Sequence, residues 1–292
     1  MLANNNEAII NKLAKNSVKT NKKQYAILFF TIILSAFMLF CVFTIGMTYL
    51  NSSRLQNTRL NGAEYDIVTM NGFTSEQLNT LQQNENIRSV GIESYAGFIQ
   101  STEYDKTVEI GLLWCDEVFW DNLMSPARTK LDGHYPQNKN ELMVTKDILK
   151  TCGNENLSVG DSLILTYENN TGVYTDEFVI SGIWDGYGDT SAGFVSKAFY
   201  DETGYDLKNN GILCIKLNCN YVFPTTIQSI EKSLDFSDRQ IFAPTGYIEN
   251  SFKLLLGICG LALVICLSAY LLIYNILYLS VSGKIRYYGL LQ

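Results

Sequence analysis

Two long apolar runs limit how this chain can fold more than any other feature. They cover residues 25–50 and 254–281 of a 292-residue sequence. A helix needs roughly 20 apolar residues to cross the hydrocarbon core of a bilayer, and both runs are longer than that. The intervening residues, 51–250, have the mixed composition of a folded domain. The sequence therefore predicts a membrane protein with two transmembrane α-helices flanking one large domain outside the lipid.

Charge is distributed unevenly along the chain and indicates its orientation. Residues 51–250 carry a net charge of −14, whereas residues 1–50 carry +4 and residues 251–292 carry +3. Because basic residues favour the cytoplasmic side, we expect both termini in the cytoplasm and residues 51–250 outside the cell. An acidic outer domain argues against nucleic acid as a partner. It suits a cationic peptide, although an acidic surface is also common in soluble domains.

The N-terminal segment, 1–24, has apolar residues at helical spacing with lysines on its other faces. This pattern predicts a cytoplasmic amphipathic helix on the membrane surface, and a disordered polar tail is the alternative. A cleaved signal peptide would have a shorter apolar run closed by small residues, so we expect a retained anchor. The lysines predicted to contact lipid are Lys12, Lys15, Lys19 and Lys22.

The outer segment alternates short strand and helix patterns, which predicts an α+β domain, with two subdomains. Thr74 and Gln77 have the spacing of a capping box, and residues 163–167 and 173–183 form a hairpin pattern across 168–172. Residues 51–61 contain no Gly or Pro, so we expect the first helix to continue outward as a stalk. The predicted boundaries are 25–50 and 251–282 for the spans, 51–250 for the outer domain and 283–292 for a further cytoplasmic helix.

No residue pattern in the sequence identifies a catalytic, cofactor-binding or metal site. His134 is the single histidine, which excludes a zinc motif with two histidines, and there is no phosphate-binding loop of the GxxxxGK[ST] type. The four cysteines outside the spans have no metal-site spacing, and either free thiols or disulfides remain open for them. They are Cys115, Cys152, Cys214 and Cys219.

The second apolar run carries three tyrosines on one helical face, Tyr270, Tyr274 and Tyr278, with Asn275 nearby. Polar groups within a membrane helix usually face protein or water. Helix packing is the interpretation we favour, and a substrate path is the alternative. Gly257 and Gly260 in the same run would allow a close helix approach.

Three segments resemble the FtsX/MacB-like family of ABC-transporter permeases. Residues 131–142, LDGHYPQNKNEL, are similar to the L-x-G-x-x-P-x-x-x-x-E segment of the family's outer domains. Residues 159–161, VGD, precede a strand as they do in that family. Residues 284–291, KIRYYGLL, resemble the basic R-x-x-x-G-L-L entry to the family's cytoplasmic helix. The order of helix, span, outer domain and span also matches.

This resemblance implies a non-catalytic permease subunit of the mechanotransmission class. ATP and Mg would be bound by a partner ABC ATPase dimer, and the chain would pair with a second permease copy or half. The expected role is antimicrobial-peptide resistance or export, or release of a lipoprotein or peptide, as in Gram-positive bacteria. Two further spans are expected after residue 292, so we expect the N-terminal part of a longer permease. The residues implied to begin the ATPase contact are Lys284, Arg286, Tyr288, Gly289, Leu290 and Leu291.

Two other classes of protein fit the bare topology. A two-span sensor would bind a ligand with its outer domain and signal to a cytoplasmic module, which would follow residue 292. A membrane-tethered hydrolase lacks a catalytic constellation in this sequence. The aromatic-Gly-Leu-Leu segment favours the permease over both.

Overall fold

A computed structural model of the chain describes residues 11, 12, 15, 16, 19–100, 110–187 and 192–282. The chain divides into two units, Met1–Leu50 with Lys253–Gln292, and Asn51–Phe252. Among the described residues, two helices are long and apolar enough to cross a bilayer, α1 (Lys22–Asn61) and a helix that begins at Gly246. The first of them contains both the predicted span and the predicted stalk, which is helical throughout residues 51–61.

The unit Asn51–Phe252 contains ten described strands in one mixed sheet. Its edge-to-edge order is β10-β1-β9-β2-β3-β8-β5-β7-β4, and β6 pairs with β2 and β7. The β3–β8 and β5–β7 pairs are parallel. The strands are β1 (Ile67–Met70), β2 (Ile87–Ile99), β3 (Ile110–Cys115), β4 (Arg128–Gly133), β5 (Glu141–Thr145), β6 (Ser162–Asn169), β7 (Gly172–Gly186), β8 (Ala192–Val195), β9 (Gly211–Leu217) and β10 (Ile241–Pro244).

Short helices connect these strands, and polar caps fix where most of them begin. Thr74 and Gln77 form the predicted capping box at α2, with each side chain bonded to the other residue's backbone N–H. Thr145, Ser196 and Asp206 cap the next three helices, each with a side-chain oxygen that accepts from a backbone N–H three residues later. The helices are α2 (Ser75–Gln82), α3 (Lys146–Thr151), α4 (Lys197–Tyr200), α5 (Leu207–Asn210), α6 (Pro224–Lys232) and α7 (Gly246–Ser282).

The core of this unit consists of three clusters of buried apolar side chains on the two faces of the sheet. One cluster contains Phe178 and Phe199, a second contains Ile67 and Ile248, and a third is aromatic and includes Trp120. The α+β fold class is confirmed. The predicted division into two subdomains stays a prediction, since all described strands join one sheet.

One prediction about a helix needs correction. The helix expected from 196 to 203 is only the four residues of α4, because the N–H groups of Glu202 and Thr203 bond three residues back instead of four. Within the unit that holds the apolar segments, the close helix approach occurs at Gly46, where a Cβ would lie 2.6 Å from Ile258. A Cβ at Gly257 or Gly260 would meet no described atom of this chain within 4 Å, and a close helix approach at these two glycines stays a prediction.

The tyrosines of the second apolar run lie along an exposed face of α7. The rings of Tyr270 and Tyr274 are 6.3 Å apart, those of Tyr274 and Tyr278 are 6.1 Å apart, and all three side chains are exposed. They therefore stack on one another, and helix packing against another chain stays a prediction.

Candidate functional site

A buried ion-pair cluster lies where the stalk (residues 51–61) meets the central strands. Lys216 Nζ in β9 lies 3.2 Å from Asp66 Oδ2 and 3.2 Å from Glu64 Oε1. Arg54 of the stalk lies 3.7 Å from the same Glu64 oxygen. The Lys216 and Asp66 side chains are 6% and 2% exposed, so solvent screens their attraction little. We call Arg54, Glu64, Asp66 and Lys216 the ion-pair cluster.

Asp66 also ties three chain segments together by hydrogen bonds. Its carboxylate accepts from the Leu217 N–H at 2.9 Å, and its own N–H donates to Ile215 O at 2.8 Å. Its carbonyl accepts from the Thr245 N–H, just before α7. Burial raises the pKa of Asp66, although Lys216 and the Leu217 N–H oppose that effect. The Asp66 carboxylate thus depends on the positive charge of Lys216 to offset the cost of its burial.

The start of α7 packs into the core of the same unit. Thr245 Oγ1 accepts from the Ile248 N–H at 3.4 Å, which caps the helix. Ile248 and Ser251 are fully buried, and Ile248 belongs to the core cluster that contains β1 and β9 residues. Phe252 contacts Phe223 with ring centroids 4.3 Å apart. The first turns of α7 and the end of α1 therefore both contact residues in or next to β1 and β9.

The segment LDGHYPQNKNEL covers the end of β4, the turn that follows and the start of β5. Its Gly, Pro and Glu, which match the family segment, each have a structural role. Gly133 has a φ of +91°, and a Cβ there would overlap the Ser181 carbonyl oxygen. Pro136 is buried. The Glu141 carboxylate accepts from the N–H groups of Gln137 and Asn138 at 2.7 and 3.1 Å. Burial raises the pKa of Glu141, but these hydrogen bonds outweigh it and the pKa is lowered.

The VGD segment forms the turn that enters β6. Gly160 has a φ of +94°, a conformation that favours glycine. Asp161 Oδ2 accepts from the Ser158 N–H at 2.8 Å, and its carbonyl accepts from Ile180 N–H at 2.9 Å. Both segments therefore shape turns of the outer domain.

The cysteines of the outer domain are free thiols. Cys115, Cys152 and Cys214 are buried and Cys219 is exposed beyond the end of β9. Burial raises the pKa of Cys115 and Cys214 well above the ordinary thiol value, so both stay protonated and unreactive.

Glu93 of β2 lies on the same sheet face as Cys115, its partner across the β2–β3 ladder. Burial raises the pKa of Glu93 to about 7. The folded chain therefore binds this proton more tightly than the unfolded chain does. The resulting stabilisation is complete below the unfolded pKa of 4.5 and is lost as the pH rises through about 7.

Replacing Glu93 with Gln is expected to remove this pH dependence. Between pH 5 and pH 8 the free energy of unfolding of the parent chain should fall by about 2 kcal/mol more than that of Glu93→Gln. Chemical denaturation in detergent at several pH values measures the difference, and Glu231→Gln, at an exposed position of α6, is the matched control. Identical pH profiles for Glu93→Gln and the parent would show that Glu93 is not the titrating group.

The structure describes some of the site residues predicted from the sequence, and others lie outside the described ranges. Lys12, Lys15, Lys19 and Lys22 are exposed in helical segments, and their contact with lipid stays a prediction. The predicted ATPase-coupling residues Lys284, Arg286, Tyr288, Gly289, Leu290 and Leu291 lie outside the described residues. His134 is exposed, as expected of a turn residue. Within the described ranges, no group of three or more His, Cys, Asp or Glu residues could hold a metal ion.

Sequence reasoning missed the ion-pair cluster. Its signal was a lysine within the apolar strand GILCIKL, since a charged residue is rarely buried in a strand without a partner. Which carboxylates would reach Lys216 was not readable, because Asp66 is 150 positions away along the chain.

No protein-family model matches the chain. No curated protein matches it either. Among solved structures, the periplasmic region of MacB from Actinobacillus actinomycetemcomitans is 14% identical with a TM-score of 0.42, covering 66% of this chain and 95% of that one. The extracellular domain of the ABC-type transporter YknZ from Gram-positive bacteria is 12% identical with a TM-score of 0.39, covering 61% and 98%.

The chain is thus similar to the outer domains of MacB and YknZ. This is the resemblance that the sequence motifs indicated. At these identities and TM-scores the likeness assigns no role to any residue.

Proposed function

We propose that this chain is the permease subunit of an ABC transporter, and that it moves its outer domain when a partner ATPase dimer binds and hydrolyses ATP. The chain lacks a phosphate-binding loop of the Walker type, so ATP and Mg belong to the partner in this proposal. A peptide or lipoprotein is the proposed substrate, and a second permease copy or half completes the assembly.

The proposal rests on where the two long helices join the outer domain, α1 at its C-terminal end and α7 at its N-terminal end. α1 is unbroken from Lys22 to Asn61, and α7 is unbroken from Gly246 to Ser282. The end of α1 contributes Arg54 to the ion-pair cluster, and the start of α7 buries Ile248 in the adjoining core. Close-packed elements transmit displacement because they deform little. We therefore propose that α1 and α7 act as transmission rods that meet at β1 and β9.

The proposed orientation follows from charge. Lysines precede the first apolar run, and Lys284 and Arg286 follow the second, which places both ends in the cytoplasm by the positive-inside rule. Residues 51–250 are then extracellular, and residues from Lys284 onward begin the contact with the ATPase.

Reversing the charge of Lys284 and Arg286 tests this function. The tagged chain is purified from its own cells in mild detergent with its bound partners, and vanadate-sensitive ATP hydrolysis is measured in nanodiscs. We expect ATPase activity to co-purify with the parent chain and to fall at least about tenfold for Lys284→Glu with Arg286→Glu, since like charges then face the contact.

Lys130→Glu with Lys232→Glu is the matched control, because it reverses two exposed charges of the outer domain. This control should keep the parent activity. Unchanged activity in the Lys284 and Arg286 variant would refute the coupling role. A co-purifying kinase with no ATP-hydrolysing transporter subunit would instead support the sensor.

A further inference from the structure

A cavity of about 580 Å³ opens at the end of β3 in the outer domain. Sites for small organic ligands span roughly 300–1,000 Å³, so this cavity is large enough for one. Its lining combines aromatic rings with carboxylates: Trp114, Trp120 and Tyr135 with Asp116, Glu117 and Asp121.

Three separate parts of the chain build this cavity. The end of β3 leads into a π-helical turn, Val118–Leu123, which is a rare geometry often found at functional sites. The turn after β4 contributes Tyr135, whose hydroxyl is bonded to the backbone of Cys115, accepting from its N–H at 3.0 Å. The first residue of α4, Lys197, lies at the rim. The rings are therefore held in place by backbone contacts from neighbouring elements.

The lining of the cavity contains three carboxylates and one basic side chain, that of Lys197. Within the described part of the chain, none of Asp116, Glu117 and Asp121 has an ion-pair partner within 4 Å. Asp116 Oδ1 accepts from the N–H groups of Ile92 and Phe119. Even so, burial raises the pKa of Asp116, and no cation offsets the effect. A positive charge in the cavity would stabilise all three carboxylates.

The aromatic rings of this region already bind the chain's own cations. Arg128 Cζ lies 4.0 Å from the centroid of the Trp120 ring, and Lys197 Nζ lies 5.1 Å from that of Trp114. Both distances are within the range of cation–π attraction. The ring system is thus suited to cations. Lys197 lies at the same rim and would compete with a bound cation, and its ammonium group is also paired with Asp201 outside the cavity lining.

We propose that this cavity binds an ammonium or guanidinium group carried on an apolar stem. The carboxylates would pair with the charge, and the rings of Trp114, Trp120 and Tyr135 would contact the stem. Such a group has two sources, a free amine and a basic side chain of a peptide. The inference does not depend on the chain being a transporter subunit.

Binding is measured by calorimetry on the whole chain in phosphatidylcholine nanodiscs, with empty nanodiscs as the blank. The probes are hexylammonium, the neutral 1-hexanol, and a short peptide of alternating leucine and lysine. We expect hexylammonium, the peptide or both to bind, 1-hexanol to bind at least about tenfold more weakly, and added salt to weaken the binding of the cations. Binding of hexylammonium indicates recognition of a free amine, and binding of the peptide alone indicates recognition of a side chain.

Two variants with opposite expected effects separate binding from folding. Glu117→Gln with Asp121→Asn should weaken cation binding about tenfold, because two charges at the rim are lost. Lys197→Gln should strengthen it about threefold, because it removes a competing cation from the same rim. Loss of folding cannot tighten binding. Asp147→Asn with Glu155→Gln, at exposed positions outside the cavity lining, is the matched control and should match the parent.

Equal affinity for hexylammonium and 1-hexanol would overturn the proposal. So would failure of both hexylammonium and the peptide to bind, or an affinity equal to that of the parent in the Glu117 and Asp121 variant. Weaker binding by Lys197→Gln would also overturn it, since the lysine would then be assisting the ligand.

Discussion

Lys216→Met is expected to lower the free energy of unfolding of the outer domain by about 3–5 kcal/mol, because it leaves Glu64 and Asp66 without their buried counter-ion. Thermal unfolding in detergent, followed by the fluorescence of the three tryptophans, should show a drop of about 10 °C or more. Lys232→Met, at an exposed position of α6, is the matched control and should change the midpoint little.

Removing the charges of the partners should restore part of the stability. Glu64→Gln with Asp66→Asn in the Lys216→Met background replaces an unpaired buried charge with neutral groups, which are less costly to bury. If Lys216→Met unfolds at the parent temperature, or if the triple variant is less stable than Lys216→Met, the ion-pair cluster does not hold the stalk and the strands together.

Gln56→Pro is expected to uncouple the outer domain from ATP hydrolysis. Gln56 is an exposed residue within the stalk, so the substitution removes no buried side chain. Proline breaks a helix interior at a cost of about 3 kcal/mol or more, since it lacks the N–H and clashes with the preceding turn. We expect the variant to retain its ATPase partner and to lose at least about tenfold in substrate transport.

Gln56→Ala controls for the loss of the glutamine side chain and keeps the helix, because alanine favours it. This variant should transport like the parent. Parent-level transport by Gln56→Pro would mean that an unbroken stalk is not needed, and the role of α1 as a transmission rod would be refuted.

The elements that follow from local patterns were predictable from the sequence. Apolar length identified both long helices, the Thr74 and Gln77 spacing identified the start of α2, and the polar stretch 168–172 identified the β6–β7 hairpin. Each depends on residues within a few positions of one another.

The functional features of the outer domain depend on pairings between distant segments. The ion-pair cluster exists because β1 and β9 are neighbours, with Ile67 opposite Ile215. The cavity exists because the parallel β3–β8 pair places the start of α4 near the end of β3. Strand order in a mixed sheet is not readable from alternating patterns, so neither feature could be predicted.

The central claim is that nucleotide binding by a partner ATPase changes the outer domain through α1 and α7. Amide hydrogen exchange of the parent assembly in nanodiscs, with and without ATP and vanadate, tests it most directly. We expect exchange to change in residues 63–70, which contain Glu64 and Asp66, and in residues 245–252 at the start of α7. Because Gln56→Pro breaks α1 and leaves α7 unaltered, we expect the change in residues 63–70 to be lost in that variant. Identical exchange in both segments of the parent with and without nucleotide, while ATP is hydrolysed, would contradict the claim.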